Sequence, residues 1–415
     1  MSARIKQIDN KPYKNRGNYH LDLSIKDVDV ESGNVLNVVI REWYNTLIPT
    51  LELTIQDDGK FTDKYPLEDN DEIKINLGLN KEDEPLIATF LVESWTMDRP
   101  DIQSNDTIIF KIFAVLKTNS LLYPIRNRSF GFKKSSDIIS QIASEIGLTP
   151  DIRIATNDVM PWLQVNESNS TFLKSMINHS YFQEDDLVLV YTQSDSKLVV
   201  TSLKTELNNK KLYQSKYDVN ETVNSDTDLF GVDKESDGNR GMIHFMNYSI
   251  NNMSPIINKL GGYGSQLSYN KDGEEQIINF TNDEHPMSLN SFKLKDKIGL
   301  VTYQLTERSL SVNMHPKYLE ANVQNRRLRN EYFSSYISLD IKPNFSVKLG
   351  ERVKLELPGI FTKINDMVHS GEYIIGGIVY EANQGSTICN QRLILFRNGI
   401  NNKLSSMEDF ETKLS

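Results

Sequence analysis

The sequence predicts a mainly β chain with an α+β segment in its middle: an antiparallel β-barrel or sandwich first, then a helix-helix-hairpin unit, then a second strand-rich region. Three observations predict it. Apolar and polar residues alternate through short runs in the first part, the period changes to that of helices between Lys133 and Leu203, and strand-like alternation returns after Ser334.

In the first part Leu21, Leu23 and Ile25 alternate with polar residues, as do Leu51, Leu53 and Ile55, and then Ile73, Ile75, Leu77 and Leu79. Turn clusters at Asp57-Asp58-Gly59-Lys60 and Asn80-Lys81-Glu82-Asp83-Glu84-Pro85 separate them, and strand-like Ala88 to Met97 and Thr107 to Val115 follow. Short strands joined by regular turns point to an antiparallel barrel or sandwich.

In the middle, Ser135 and Ser136 are capping residues for a helix with Ile138, Ile139, Ile142, Ala143 and Ile146 on one face, stopped by Gly147. A loop carrying Met160-Pro161-Trp162-Leu163 leads into the cap-rich run Asn166 to Ser170 and a second amphipathic helix through Phe172, Leu173, Met176 and Ile177. Leu187 to Thr192 and Leu198 to Thr201 then flank the polar turn Gln193 to Lys197, a hairpin. Polar Glu206 to Asn209 mark the end of the unit.

Tyr217 to Arg240 is acidic and without pattern, which marks a linker or long loop. Strand candidates follow at Met242 to Ile250, Gln276 to Thr281 and Gly299 to Leu310, with a helix over Pro316 to Phe333 that places Tyr318, Ala321, Leu328 and Tyr332 roughly on one side. Tyr336 to Ile341, Arg352 to Leu357, Glu372 to Tyr380 and Thr387 to Phe396 complete the strands.

Bulk properties narrow the function. A chain of 415 residues is long for one core and predicts two to four domains, and 38% hydrophobic content suffices to fold them. No apolar run reaches membrane-spanning length, and Met1 to Lys6 does not open a signal peptide, so neither secretion by that route nor a spanning helix is expected. Cys389 is the one cysteine, read as a small strand residue, which leaves no disulfide within the chain. The 56 acidic against 46 basic residues give a net charge of −10, which disfavours gripping nucleic-acid phosphates.

No constellation carries catalytic chemistry. His20, His179, His244, His285, His315 and His369 stand singly, without the i, i+4 spacing of a helical zinc site. Glu184-Asp185-Asp186 reads as a solvated turn rather than a glycosidase carboxylate pair. Asp226-Thr227-Asp228 begins a calcium-loop spacing, but Phe230 stands at a ligand position and no glutamate closes the loop after Gly231. Gly261-Gly262-Tyr263-Gly264-Ser265 lacks the Lys-Ser/Thr pair of a phosphate cradle and reads as a turn. Arg326, Arg327 and Arg329 read as an exposed helix face partnered by Glu320 and Glu331. The expectation is therefore no enzyme, with no catalytic, cofactor or metal residues, and with interface residues undefined.

The order of SSDIISQIASEIGL, VNESNSTFLKSMINHSYF and DLVLVYTQSDSKLVVTSL resembles the middle domain of baseplate central hub proteins of contractile-tailed bacteriophages. Phage late control D proteins and the amino-terminal region of VgrG spikes share that pattern. VKLGERVKLELPG and SGEYIIGGIVYEANQGSTICNQRLILFRNG are similar to the closing strands of the second barrel in such hubs, and the likeness runs from about Leu36 to about Asn398.

The resemblance implies two tube-protein-like antiparallel β-barrel domains plus the helix-helix-hairpin domain and an insertion. Residues 1–121 would be the first barrel, 122–208 the α+β domain, 209–250 with 335–402 the split second barrel, 251–334 the insertion, and 403–415 a polar tail. It implies a homotrimer in the virion tail baseplate, made in the host cytoplasm, that adapts a three-fold central spike to the six-fold tail tube and forms part of the DNA channel. Partners would be the spike, the tube or tube-initiator protein, and tape measure and baseplate wedge proteins; DNA would pass without specific binding, and no cofactor is implied. Unlike VgrG-type chains, no β-helical spike follows Asn398, so the spike is expected to be a separate protein. Alternatives are a carbohydrate-binding or glycan-degrading tail β-protein, a distal-tail adaptor, and a VgrG-like secretion spike component.

Overall fold

The alternating runs of the first part pair into one curled sheet. The computed structural model describes residues 19–44, 46–57, 59–79, 85–98, 108–119, 122–208, 212–217, 239–252, 264–271, 274–280, 300–305, 314–333, 335–359, 366, 369–383 and 389–397. Most of the acidic linker with its Asp226-Thr227-Asp228 run, Gly261-Gly262-Tyr263, His285 and the tail from Asn401 lie outside the described residues.

Strands β1 (Tyr19–Ile25), β2 (Val28–Val30), β3 (Val35–Trp43), β4 (Thr50–Asp57), β5 (Glu72–Leu79), β6 (Leu86–Asp98) and β7 (Ile108–Leu116) stand in the order β3-β4-β7-β6-β5-β1-β2, all pairs antiparallel. Leu51, Leu53 and Ile55 face the core, as do Ile73, Ile75 and Leu77, as their alternation predicts. Strand β3 has no such signature in the sequence because Val38, Val39 and Ile40 are all buried, on both faces.

The middle segment comprises β8 (Ile125–Lys133), α1 (Ser135–Glu145), β9 (Thr149–Ile152), β10 (Met160–Ser168), α2 (Asn169–His179), β11 (Val188–Thr192), β12 (Lys197–Ser202) and α3 (Leu203–Leu207). Strands β8 and β10 form a two-stranded ribbon, while β9 adds in parallel to the β11–β12 hairpin. Gly147 takes a φ of 85° just after α1, the left-handed stop its position predicts. Ser168 caps α2 by accepting from Thr171 N at 3.1 Å, worth about 1 kcal/mol.

Three expectations for this segment need correcting. Met160 to Leu163 is strand, not loop: Met160, Trp162 and Gln164 point inward while Leu163 and Val165 point out. Ser135 and Ser136 do not cap α1 themselves. The buried Asp158 accepts from Ser135 N at 2.9 Å, and Thr156 Oγ1 accepts from Ser136 N at 3.1 Å, so the open amides are met from a distant loop. Glu206 belongs to α3 and is 2% exposed rather than part of a polar boundary.

The last part supplies β13 (Leu212–Tyr217), β14 (Asn239–Asn252), β15 (Gly264–Lys271), β16 (Glu274–Phe280), β17 (Leu300–Leu305), α4 (Tyr318–Tyr332), β18 (Ser335–Ile341), β19 (Arg352–Leu355), β20 (Gly371–Asn383) and β21 (Asn390–Arg397). Strands β15, β16 and β17 form a separate small sheet. The other six close into a barrel, β13-β14-β18-β21-β20-β19 and back to β13. Closure is mostly antiparallel; β13 runs parallel to both neighbours.

Strand β20 belongs to both sheets. Its first residues, Gly371 to Ile374, pair with β19, and its last, Gly377 to Asn383, pair with β3. A bulge between Ile375 and Gly377, in the pairing with β21, marks the transfer. A Cβ on Gly376 would run into the Phe396 ring edge, and one on Gly377 would lie 2.9 Å from Trp43 Cε3, so bare backbone is needed at the crossing. Tyr44 N donates to Gly376 O at 3.0 Å and Gly350 N to Ile375 O at 2.9 Å, which satisfies the carbonyls the bulge exposes. Among the described residues no helix is long and apolar enough to cross a membrane.

Candidate assembly interface

The side chains singled out in the sequence are used for structure. Asp186 is buried, and its carboxylate accepts from Leu187 N at 2.9 Å, Lys204 N at 3.0 Å and the Gln183 amide at 2.9 Å, holding the entry to α3. Asp185 pairs with Arg327 at 3.0 Å, and Glu184 alone is well exposed. The solvated-turn reading therefore fails for Asp186, which is buried and meets Lys204 N of a later element, while Asp185 stays partly exposed beside Arg327.

The same holds for the arginines of α4. Arg326 is exposed, but Arg327 is 6% exposed and Arg329 donates to Asn178 Oδ1 at 3.0 Å. Asn325 donates to the carbonyls of Ser180 at 2.7 Å and Asn178 at 3.1 Å, groups that α2 leaves open at its end. Gln324 donates to Asp186 O at 2.7 Å. The face of α4 expected in solvent is thus docked on the middle segment.

Cys389 is buried next to β21, where burial pushes its thiol up to about 12 and leaves it unreactive. His369 contacts Asp366 at 2.8 Å; His179 and His315, far apart in sequence, come together at the α2–α4 contact. Among the described residues no three His, Cys, Asp or Glu side chains converge as metal ligands.

A buried polar node joins the three parts of the molecule. Gly350, at φ 87°, is approached by the Tyr44 hydroxyl of the first sheet and by Tyr191 and Glu206 of the middle segment, each within 2.9 Å of where a Cβ would sit. Arg153 pairs with Glu206 at 2.9 Å, and the Tyr191 hydroxyl donates to Leu349 O at 3.2 Å. Burial holds both phenols far above their ordinary value, so they remain neutral donors rather than nucleophiles.

Among the described residues, two surfaces combine exposed apolar side chains with strand geometry. One is the far half of β6: β5 pairs with it only as far as Leu91, and from Glu93 to Asp98 both faces are exposed. Trp95, 39% exposed, packs edge-on to Phe110, and Met97 is 49% exposed beside it. A strand with one unpaired edge and apolar side chains is a template for strand addition.

The other is the outer face of the β8–β10 ribbon, where Ile125, Phe132, Leu163 and Val165 are all more than 60% exposed. Its inner face is pinned by Arg128, which donates to Gln164, Glu145 and Asn169, each at 2.7 Å, while its guanidinium lies over Phe130. Burial pushes the Glu145 carboxyl up, but the hydrogen bonds from Arg128 and Gln141 outweigh it and hold the group below its usual value. A ribbon anchored so firmly on one side keeps a rigid apolar face on the other.

No protein-family model matches the chain, and no curated protein matches its sequence. Solved structures do. The 43 kDa tail protein of prophage MuSo2 from Shewanella oneidensis superposes with a TM-score of 0.58 at 12% identity, covering 92% of this chain and 98% of that one. A tail protein from Neisseria meningitidis MC58 gives 0.57 at 10% identity with the same coverage. The chain thus shares, over nearly its whole length, the mainly β fold of these two tail proteins.

Proposed function

We propose that the chain is a structural component of a phage tail, the central hub of a contractile-tail baseplate. The observation that carries this reading is the pair of β-structures fused side by side through β20, in a fold shared end to end with two tail proteins. Three copies of such a subunit present six β-structures around an axis, which lets a three-fold spike meet a six-fold tube; closed rings require matching interfaces of this kind. The division into a first barrel, a helix-helix-hairpin domain, a split second barrel and an insertion is part of the same proposal.

In the ring, the open edge of β6 from Glu93 to Asp98 is the seam offered to a neighbouring subunit, and the β8–β10 ribbon is the face offered to a spike, tube or wedge protein. The net charge of −10 supports a channel wall that repels DNA rather than binding it. The protein works without cofactor, in the virion tail.

The test is the solution mass by light scattering, alone and mixed with a spike protein encoded beside it. A trimer, or a monomer that becomes trimeric with the spike, supports the hub. A persistent monomer with measurable glycan affinity would instead assign the chain to the carbohydrate-binding class.

A further inference from the structure

Helix α4 is held at its two ends by different chemistry. Its last turn is buried in apolar contacts: Leu328 and Tyr332 are fully buried, and Phe333 just beyond sits edge-on to Tyr44 and Phe396. Its middle is held by the hydrogen bonds of Gln324 and Asn325 to the carbonyls of Asp186, Asn178 and Ser180, and its first turn is held to the end of α2 by two histidines. His179, the last residue of α2, stacks on Tyr318 with ring centroids 4.0 Å apart and planes within 6°. Its Nδ1 lies 3.4 Å from the carbonyl oxygen of Tyr318, and its Nε2 lies 3.3 Å from the Asn322 amide nitrogen.

A carbonyl accepts and an amide nitrogen donates, so this arrangement fits one neutral tautomer, protonated at Nδ1 and accepting at Nε2. His315, 1% exposed, donates from Nε2 to the carbonyl of His179 at 3.1 Å, while its Nδ1 is buried with no hydrogen-bond partner. The neighbouring Trp162 and Tyr318 rings offer it no acceptor. A proton added at His179 Nε2 would meet an amide donor, and one added at His315 Nδ1 would be left unpaired inside the protein.

The charged groups around the pair are already engaged. Asp158, across the loop before β10, faces His315 but accepts from Ser135 N and Tyr181 N; Glu320 of α4 pairs with Lys317. Arg327 and Arg329 of α4 are taken by Asp185 and Asn178. His179 has no acidic group among its neighbours that shift its titration, only His315, which opposes a second charge. Burial outweighs the hydrogen bonds and carboxylates and holds both imidazoles below the ordinary histidine value.

We propose that the first turn of α4, with His315 before it, is an acid-released clasp: it stays docked on the end of α2 while His179 and His315 are neutral, and lets go when they take up protons. The docked state binds fewer protons than the released one. Docking is therefore at full strength above the ordinary histidine value of about 6.5 and is lost as pH falls through the lowered values. The rest of α4, held by Gln324, Asn325, Leu328 and Tyr332, stays in place, so release is local.

Amide hydrogen exchange on the full chain between pH 7.5 and 5.0, corrected for the intrinsic pH dependence, tests this. Protection over residues 318–322 is expected to fall by about tenfold for each unit by which either imidazole is depressed, while residues 324–332 and β20 keep theirs. The Asn322→Asp variant places a carboxylate beside Nε2 to pair with the imidazolium, and it is expected to keep the clasp shut to lower pH. Unchanged protection of 318–322 at pH 5.0, loss in parallel with β20, or release of Asn322→Asp at the same pH as the parent would each overturn the proposal.

Discussion

The two large β-structures solve the problem of strand edges in opposite ways. The six-stranded barrel of β13, β14 and β18–β21 closes entirely by backbone pairing, so each of its strands has two neighbours. Among the described residues, the sheet of β1–β7 curls but does not pair its ends. Its return to β20 rests on a side chain, the Tyr19 hydroxyl donating to Asn383 O at 3.4 Å, and it leaves β2 and the far half of β6 open. Closure removes the means of association, and an open edge keeps it. On the proposed hub reading, the barrel would hold the subunit together and the open sheet would meet neighbours.

The comparison breaks hardest at the strand the two structures share. Gly376→Val puts a branched side chain into Phe396 at the bulge, and we expect a loss of about 3 kcal/mol or more, with both structures destabilised together, measured by denaturant unfolding. Matched truncations come next: Leu339→Ala in the closed barrel and Leu53→Ala in the open sheet, both buried, should each cost about 2–5 kcal/mol. If the shared strand couples them, hydrogen exchange will show either variant weakening both; a variant that weakens only its own half would separate them.

A smaller effect concerns Glu42 of β3, which is 3% exposed and accepts from Ser194 N of the middle hairpin at 3.2 Å. Burial holds its carboxyl above the ordinary value, despite that hydrogen bond and nearby Lys348. The folded state then binds the proton more tightly than the unfolded one, so stability is greatest below the ordinary carboxyl value and is lost as pH rises through the raised one. Glu42→Gln keeps an acceptor for Ser194 without the charge, and should raise neutral-pH stability by about 1 kcal/mol while flattening that pH dependence. Tyr19→Phe should cost only about 0.5 kcal/mol, since a 3.4 Å bond between partly exposed groups contributes little; a larger loss would mean the curl depends on it. Smallest in stability, within about 0.5 kcal/mol, is Met97→Lys on the open edge. Its expected effect is on assembly, a lower solution mass at equal concentration, and an unchanged mass would remove β6 as the seam.

Much of this architecture was legible in local pattern. Helices with one apolar face, such as Ile138 to Ile146, and strands with one wet face, such as Leu51 to Ile55, announce themselves because burial follows a fixed period. Elements buried on both sides do not: Val38-Val39-Ile40 of β3 carries no alternation, and β20 shows a continuous apolar run whose double membership only the pairing reveals. Polar residues misled where their partners were distant in sequence. Asp158 capping α1, Asp186 reaching Lys204 N of α3 and Arg327 meeting Asp185 all look solvated when read locally, and nothing nearby in sequence signals those remote partners. The exposed ribbon face was missed for a related reason: Met160 to Leu163 reads as a loop, and only the inward orientation of Gln164 between Leu163 and Val165 shows that a strand runs there with those two pointing out.

The shared strand also sets a timetable for the chain on the ribosome. Strand β3 needs β20 to cover one edge, yet roughly 330 residues separate Trp43 from Gly377, and at about 5–20 residues per second that is an interval of about 15–70 s. During it β3 presents an apolar, hydrogen-bonding edge with its proper partner still unmade. Nascent chains of the same kind, translated side by side from one message, are the nearest competitors for it, so faithful folding depends on keeping that edge guarded until the closing strands emerge.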